Sequence, residues 1–288
     1  MVWTCRRRIF YAVDGESVQV DASKSRETSV DVLFIVPEIV MLPMLKHRYR
    51  MASWLAMMVF AVLIGGVAHS ADFRVTTEIY QNLSSKPAAK HLILFAGNLT
   101  YDLAEIQDRY VTVYDPDRKR VILLDREAKT RTTINTEDLV RITAQARAAA
   151  ETSEQQQRLG ILASPEIEGG QYSISFGDAR YETMTQVPGE AEMAVRYGQF
   201  VDLASRLNLV HRRGLPPFAR MTLSQRIASD GKIPKETTLT IRRGIQVDRF
   251  RSSHSFISTL SQQDRQQIEE IGGMLALYSE VPLSESGE

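Results

Sequence analysis

The 288-residue chain has one cysteine, Cys5, and its 35 basic side chains are balanced by 35 acidic ones. A lone thiol forms no intramolecular disulfide, so a stapled scaffold is excluded. Zero net charge removes the electrostatic footprint of a basic nucleic-acid binder, and no nucleic-acid partner is expected. Glycine and proline are scarce, at 16 and 10 residues, beside a hydrophobic share of 43%. That balance describes an ordered chain able to build a core. A mean hydropathy of −0.20 excludes a protein with many membrane spans.

One long stretch, 51–71, carries no Lys, Arg, Asp or Glu, and its apolar heart at 54–67 reads WLAMMVFAVLIGGV. Lys46, His47, Arg48 and Arg50 precede it. Ala68-His69-Ser70-Ala71 follows, with small residues where a signal peptidase reads for a cut between Ser70 and Ala71. Residues 46–70 therefore read as a signal peptide. The apolar heart covers only ~21 Å as a helix, short of the ~30 Å hydrocarbon core. The second reading keeps 52–71 as a signal anchor, a single transmembrane helix with its N-terminal side cytoplasmic. Residues 1–45 mix charges with an apolar run broken by Pro37 and Pro43 and show no periodic element. They are expected to be a disordered or mis-assigned extension, with initiation at Met41 or Met44. Both readings export 71–288 to the periplasm or the cell exterior. From Ala71 onward the chain has 218 residues, 27 basic and 29 acidic, and no cysteine. It can sustain a core without staples.

From 73 to 134 the pattern is β. Short runs rich in Val, Ile, Thr, Tyr and Phe at 73–80, 91–95, 99–102, 110–114, 121–125 and 130–134 are separated by Gly97-Asn98, Asp115-Pro116-Asp117 and Arg126-Glu127-Ala128-Lys129. Tight connections imply an antiparallel meander. Runs 110–114 and 121–124 are apolar on both faces, so cover on both sides is expected. A helix is predicted over 136–158, capped by Asn135 or Thr136, with a boundary between two halves near 160–170. Strands are predicted at 172–176, 180–187 and 192–197, then a short helix over 200–207. Residues 218–228 fit either state. The stretch 236–250 reads as a hairpin turning at Gly244, and a last helix follows the Ser261/Asp264 capping box.

Chemistry-bearing patterns are few. His91, His211 and His254 are the histidines of the exported part, and none has a second ligand at metal spacing, so no metal site is expected. Ser253-His254-Ser255 sets hydroxyls beside an imidazole, but neighbours on a strand point to opposite faces. Asp115 and Asp117 sit in a turn, where carboxylates bond nearby amides. No glycine loop for phosphate can be drawn, so no cofactor is expected. Catalytic residues are expected to be absent, and no ligand-binding residue can be assigned. Arg118-Lys119-Arg120, His211-Arg212-Arg213 and Arg242-Arg243 lie at turns. They read as solvated tips, or as contacts to anionic headgroups or cell-wall polymer if two share a face. Asn82 and Asn98 begin glycosylation sequons by pattern.

The segment YVTVYDPDRKRVILLDREAKTRTTI at 110–134, followed at once by a helix, resembles the lipoprotein-carrier-like (LolA/LolB-type) superfamily of exported bacterial proteins. The resemblance spans about 50 residues well and about 150 loosely, through Gly214-Leu215-Pro216-Pro217. It implies an α+β fold, a curved antiparallel sheet (unclosed β-barrel) with two or three helices packed in or against it, which in relatives shields acyl chains. The expectation is a non-enzymatic envelope protein that binds a hydrophobic ligand or lipid. The alternatives are a structural or protein-interaction module at the cell surface, with an envelope protein as partner, and an exported hydrolase. Converging buried His, Ser and carboxylate groups would favour the hydrolase.

Overall fold

A computed structural model describes residues 72–211 and 214–285; the expected extension at 1–45 and targeting segment at 46–70 lie outside the described residues. No helix among the described residues is long and apolar enough to cross a membrane.

Strands β1 (Phe73–Gln81), β2 (Ala89–Ala96), β3 (Leu99–Ala104), β4 (Tyr110–Asp115), β5 (Arg120–Asp125) and β6 (Thr130–Asn135) form one antiparallel meander. A second consists of β7 (Glu166–Glu168), β8 (Gln171–Phe176), β9 (Ala179–Gln186), β10 (Ile233–Arg243) and β11 (Gln246–Ile257). Antiparallel pairing of β1 with β11 joins the two meanders. The short β12 (Ser279–Glu280) adds to β6 in parallel and makes a 12-stranded sheet. Its edges, β12 and β7, are not paired with each other, so the curved sheet stays open as an unclosed barrel. The expected α+β architecture is therefore observed.

Five helices accompany the sheet among the described residues, more than the two or three expected. They are α1 (Thr136–Ala148), α2 (Ser153–Leu159), α3 (Ala191–Val210), α4 (Phe218–Ser229) and α5 (Gln262–Leu277). The single helix predicted over 136–158 is two. Thr152 accepts from the Gln155 amide at 3.2 Å, and the Gln155 side chain accepts from the Thr152 amide. This capping box starts a new helix after a break. The strand predicted at 192–197 and the short helix after it are one 20-residue helix, α3. Met193, Ala194, Tyr197, Phe200, Val201 and Ala204 follow the helical period, and burying that stripe outweighs the turn signal of Pro188-Gly189. The ambiguous stretch is α4. Gly244 turns the β10–β11 hairpin with φ +60°.

The inner face of the sheet carries α1, α3 and α4. Phe73, Val75, Ile93 and Phe95 meet Met193, Tyr197, Phe200 and Val201 of α3. Beside them Val121, Leu123 and Ile134 meet Leu139 of α1 and Leu203 and Leu207 of α3. Over β8–β11, Ala219, Leu223 and Ile227 of α4 cover Ile174, Phe176 and Leu239. Gly198 lets α3 and α4 touch, since a Cβ there would lie 2.8 Å from the Ala228 Cβ. On the outer face α5 lays Ile271 and its neighbours Ile268 and Leu275 over Leu94, Leu103, Val113 and Leu124. Its first turn is fixed by the predicted capping box and by Arg74 of β1, whose Nη1 donates to Asp264 at 3.3 Å.

Candidate functional site

Polar side chains buried against an apolar wall must find partners or lose stability, so their grouping locates a candidate site. The inward positions of β1 are Phe73, Val75, Thr77 and Ile79, alternating as a half-buried strand requires. Thr77 stands opposite His91 on β2 and opposite His254 on β11. Directly opposed residues share a face, so these three form a row beneath α3. Asp102 on β3 reaches the row diagonally, and Tyr197 enters it from α3.

The row contains two hydrogen-bonded groups. His91 Nδ1–H donates to Asp102 Oδ1 at 2.8 Å, with the two residues 3% and 4% exposed. His254 Nδ1 lies 3.0 Å from Thr77 Oγ1 and 3.2 Å from the Tyr197 hydroxyl. Burial raises the Asp102 carboxyl, yet the charge and hydrogen bond of His91 act against it, and it titrates below the usual carboxylate range. Burial, with the charge of Arg220 added, pushes His254 down to about 3, so its imidazole is neutral at physiological pH. Burial likewise pushes the Tyr197 phenol up to about 12. His254 Nε2 is buried and has no hydrogen-bond partner among the described residues. One strand pair further on, Thr183 and Thr237 share a hydrogen bond of 3.1 Å, which continues the polar seam across β10 and β9.

The structure thus brings His91 and His254 to one seam and leaves His211 outside it. His211 follows the last residue of α3, 14 residues or ~21 Å of helix beyond Tyr197. Ser253 and Ser255 alternate with the buried His254, Ser255 being exposed, as strand geometry requires. The Asp115 carboxylate accepts from the Arg118 amide, Arg118 Nη1 and Arg120 Nε, each at 3.1 Å. Burial raises that carboxyl, but these donors outweigh it and it titrates below the usual range. Lys119 Nζ pairs with Glu137 at 2.7 Å. Every cation of the patch at 118–120 is therefore ion-paired, Arg118 and Arg120 sharing Asp115, and the patch lies at the opposite end of the sheet from Arg242-Arg243. Among the described residues no three His, Cys, Asp or Glu side chains gather at metal-binding distance.

Thr77, Asp102 and Tyr197 escape a reading of the sequence. Thr77 carries a signal, since it occupies an inward position of a clear alternation. Asp102, between Tyr101 and Leu103, has the same kind of signal as a charge inside an apolar strand. Tyr197 has none while its segment reads as a strand. Chemically the seam can hold and orient protons, but carboxylate and hydroxyls serve different imidazoles. A nucleophilic triad needs both on one. Neither a protein-family model nor a curated protein matches the sequence.

Proposed function

We propose that this is a non-enzymatic protein of the cell envelope whose exported part, 71–288, binds an apolar small molecule or lipid between the sheet and α3. The observation that carries the reading is the wall beneath α3. An open, curved sheet is shut there by a helix alone, and the wall is aromatic and aliphatic, with Phe73, Val75, Ile93 and Phe95. α3 rests on that wall through side chains, and the side chain of its N-cap residue, Glu190, makes no capping hydrogen bond. Such a helix can withdraw without breaking a strand ladder, and an acyl chain then takes the place of Met193, Phe200 and Val201. Asp102 bonds His91 whereas the Thr77 and Tyr197 hydroxyls bond His254, a division that supports the non-enzymatic part of the reading.

The test is to extract the purified protein with organic solvent, and to titrate it with an apolar fluorescent probe while its near-ultraviolet circular dichroism is followed. Co-purified lipid, or saturable probe uptake with native tertiary structure, is expected. Lipid-free protein that ignores the probe overturns the binding reading. A second reading, a structural or interaction module at the cell surface, is favoured by how fully the inner face is already packed. The Phe73 and Phe95 rings stack at 4.0 Å, Phe200 meets Phe95 edge-on at 6.1 Å, and the Arg196 guanidinium lies over both stacked rings. That reading expects an envelope protein to co-purify and no ligand.

A further inference from the structure

The β10–β11 hairpin extends past the strands on both sides of it. On the β1 side the last ladder pair is Gln81 with Phe250, and Asn82 then closes the strand end. The Asn82 N–H donates to Arg249 O at 2.7 Å, and its Oδ1 accepts from the Arg249 amide at 2.9 Å. On the β9 side the chain turns at Asp178, whose carbonyl accepts from the Arg242 amide at 2.8 Å. Beyond these closures the hairpin carries Arg242–Val247 and Arg243–Gln246 as its last pairs. It stands ~10 Å past Asn82, three residues at strand rise.

The tip of this finger is aliphatic. Ile245 is 106% exposed, as open as a residue in an extended peptide, and Val247 is 45% exposed. On the adjoining β1–β2 turn Leu83 is 99% exposed. Below them stand the exposed cations Lys86, Arg242, Arg243 and Arg249. Arg243 lies 3.8 Å from Asp248, whereas Lys86, Arg242 and Arg249 make no ion pair among the described residues. The opposite end differs, because every cation of 118–120 there is ion-paired, Arg118 and Arg120 both to Asp115 and Lys119 to Glu137. Unpaired cations below bare aliphatic tips match the layers of an anionic bilayer surface, with headgroups outside and acyl chains within. A protein partner would be expected to need a continuous apolar patch, whereas these side chains stand singly on convex turns.

We propose that the β10–β11 hairpin tip, with Leu83 beside it, inserts into an anionic membrane surface through Ile245 and Leu83 while Lys86, Arg242 and Arg249 engage the headgroups. The inference is independent of whether a ligand occupies the inner face. The test places an environment-sensitive fluorophore on the full chain at Ile245→Cys, in a Cys5→Ser background, and a matching one at Asp117→Cys on the opposite end. With phosphatidylglycerol-containing vesicles the 245 label is expected to shift to the blue and brighten, less so in high salt or with phosphatidylcholine alone, while the 117 label stays unchanged. Adding Leu83→Ser is expected to weaken the response about tenfold in lipid concentration, the worth of one aliphatic side chain moved out of water. An unchanged 245 label overturns the proposal even if the protein sediments with vesicles through its apolar segment at 54–67. A 245 label that responds only when an envelope protein is added overturns it in favour of a protein interface. Because both tips are exposed, the variants are expected to melt with the parent protein, which separates loss of docking from loss of fold.

Discussion

The two meanders solve burial differently. Strands β2–β5 are buried on both faces, with α1 and α3 inside and α5 outside. Strands β9–β11 are buried mainly where they face α4 and α3. Their outer face is charged, with Arg251 paired to Glu236 at 3.2 Å and Arg180 to Glu182 at 3.4 Å. The local sequences carry this difference: Leu92-Ile93-Leu94-Phe95 and Val121-Ile122-Leu123-Leu124 are continuous, whereas Arg180 to Gln186 alternate with polar residues. A strand apolar on both sides requires cover, and here the cover is the last long helix of the same chain. Double-sided apolarity in β2–β5 is thus accounted for by α5, and only the inner face remains a candidate for an exchangeable occupant.

Removing outer cover should therefore cost stability in one meander and almost nothing in the other. Ile271 of α5 is fully buried, and Ile271→Ala is expected to lower unfolding free energy by about 3 kcal/mol through lost transfer energy and a residual cavity. Met184, on the outer face of β9, is 55% exposed, and Met184→Ala is expected to change stability by no more than about 0.5 kcal/mol. Urea denaturation of both variants checks the contrast, and equal losses would break it. A smaller effect, about 2 kcal/mol, is expected for Asp264→Ala. That change leaves the Ser261 cap in place but deletes the carboxylate that accepts from the Ser261 amide and hydroxyl and from Arg74. Hydrogen exchange should then quicken in α5 and the outer residues of β2–β5 while β8–β11 keep their protection. Uniform loss of protection would mean that α5 is not a separable cover.

Much of this division is legible before any coordinates. Strands between 73 and 134 are bounded by turn residues, and Phe73, Val75, Thr77 and Ile79 announce their buried side. The Ser261/Asp264 box places the start of α5 to the residue. α3 is not legible from its first turn, because Met193 to Tyr197 after Pro188-Gly189 suits a hairpin strand as well as a helix. Only the continued spacing through Ala204 and Leu207 decides. The break between α1 and α2 is written in Thr152 and Gln155 but is masked by the polar residues around them. The buried seam is half legible. His91 and His254 are visible as residues, but Thr77 lies 177 residues from His254 and Tyr197 57 residues from it. Register and helix docking assemble those contacts, and local pattern contains neither.

At neutral pH the effect expected at the seam where the two meanders meet is small, and it grows in acid. His254 titrates near 3 in the folded protein, chiefly through burial, against about 6.5 unfolded. Between those values the unfolded chain binds the extra proton, so stability is intact above about pH 6.5 and declines as pH falls toward 3. The slope from this one group approaches ~1.4 kcal/mol per pH unit. His254→Leu is expected to flatten that part of the profile. Near neutral pH the change should be modest, because losing the Thr77 and Tyr197 contacts is offset by removing the unpartnered Nε2. Denaturation midpoints measured from pH 7.5 to 4 test this, with His211→Leu as the comparison outside the seam. If the two variants keep the parental slope, acid sensitivity arises elsewhere. If His254→Leu alone flattens it, the junction between the meanders is the element that yields first in acid, ahead of the doubly covered β2–β5.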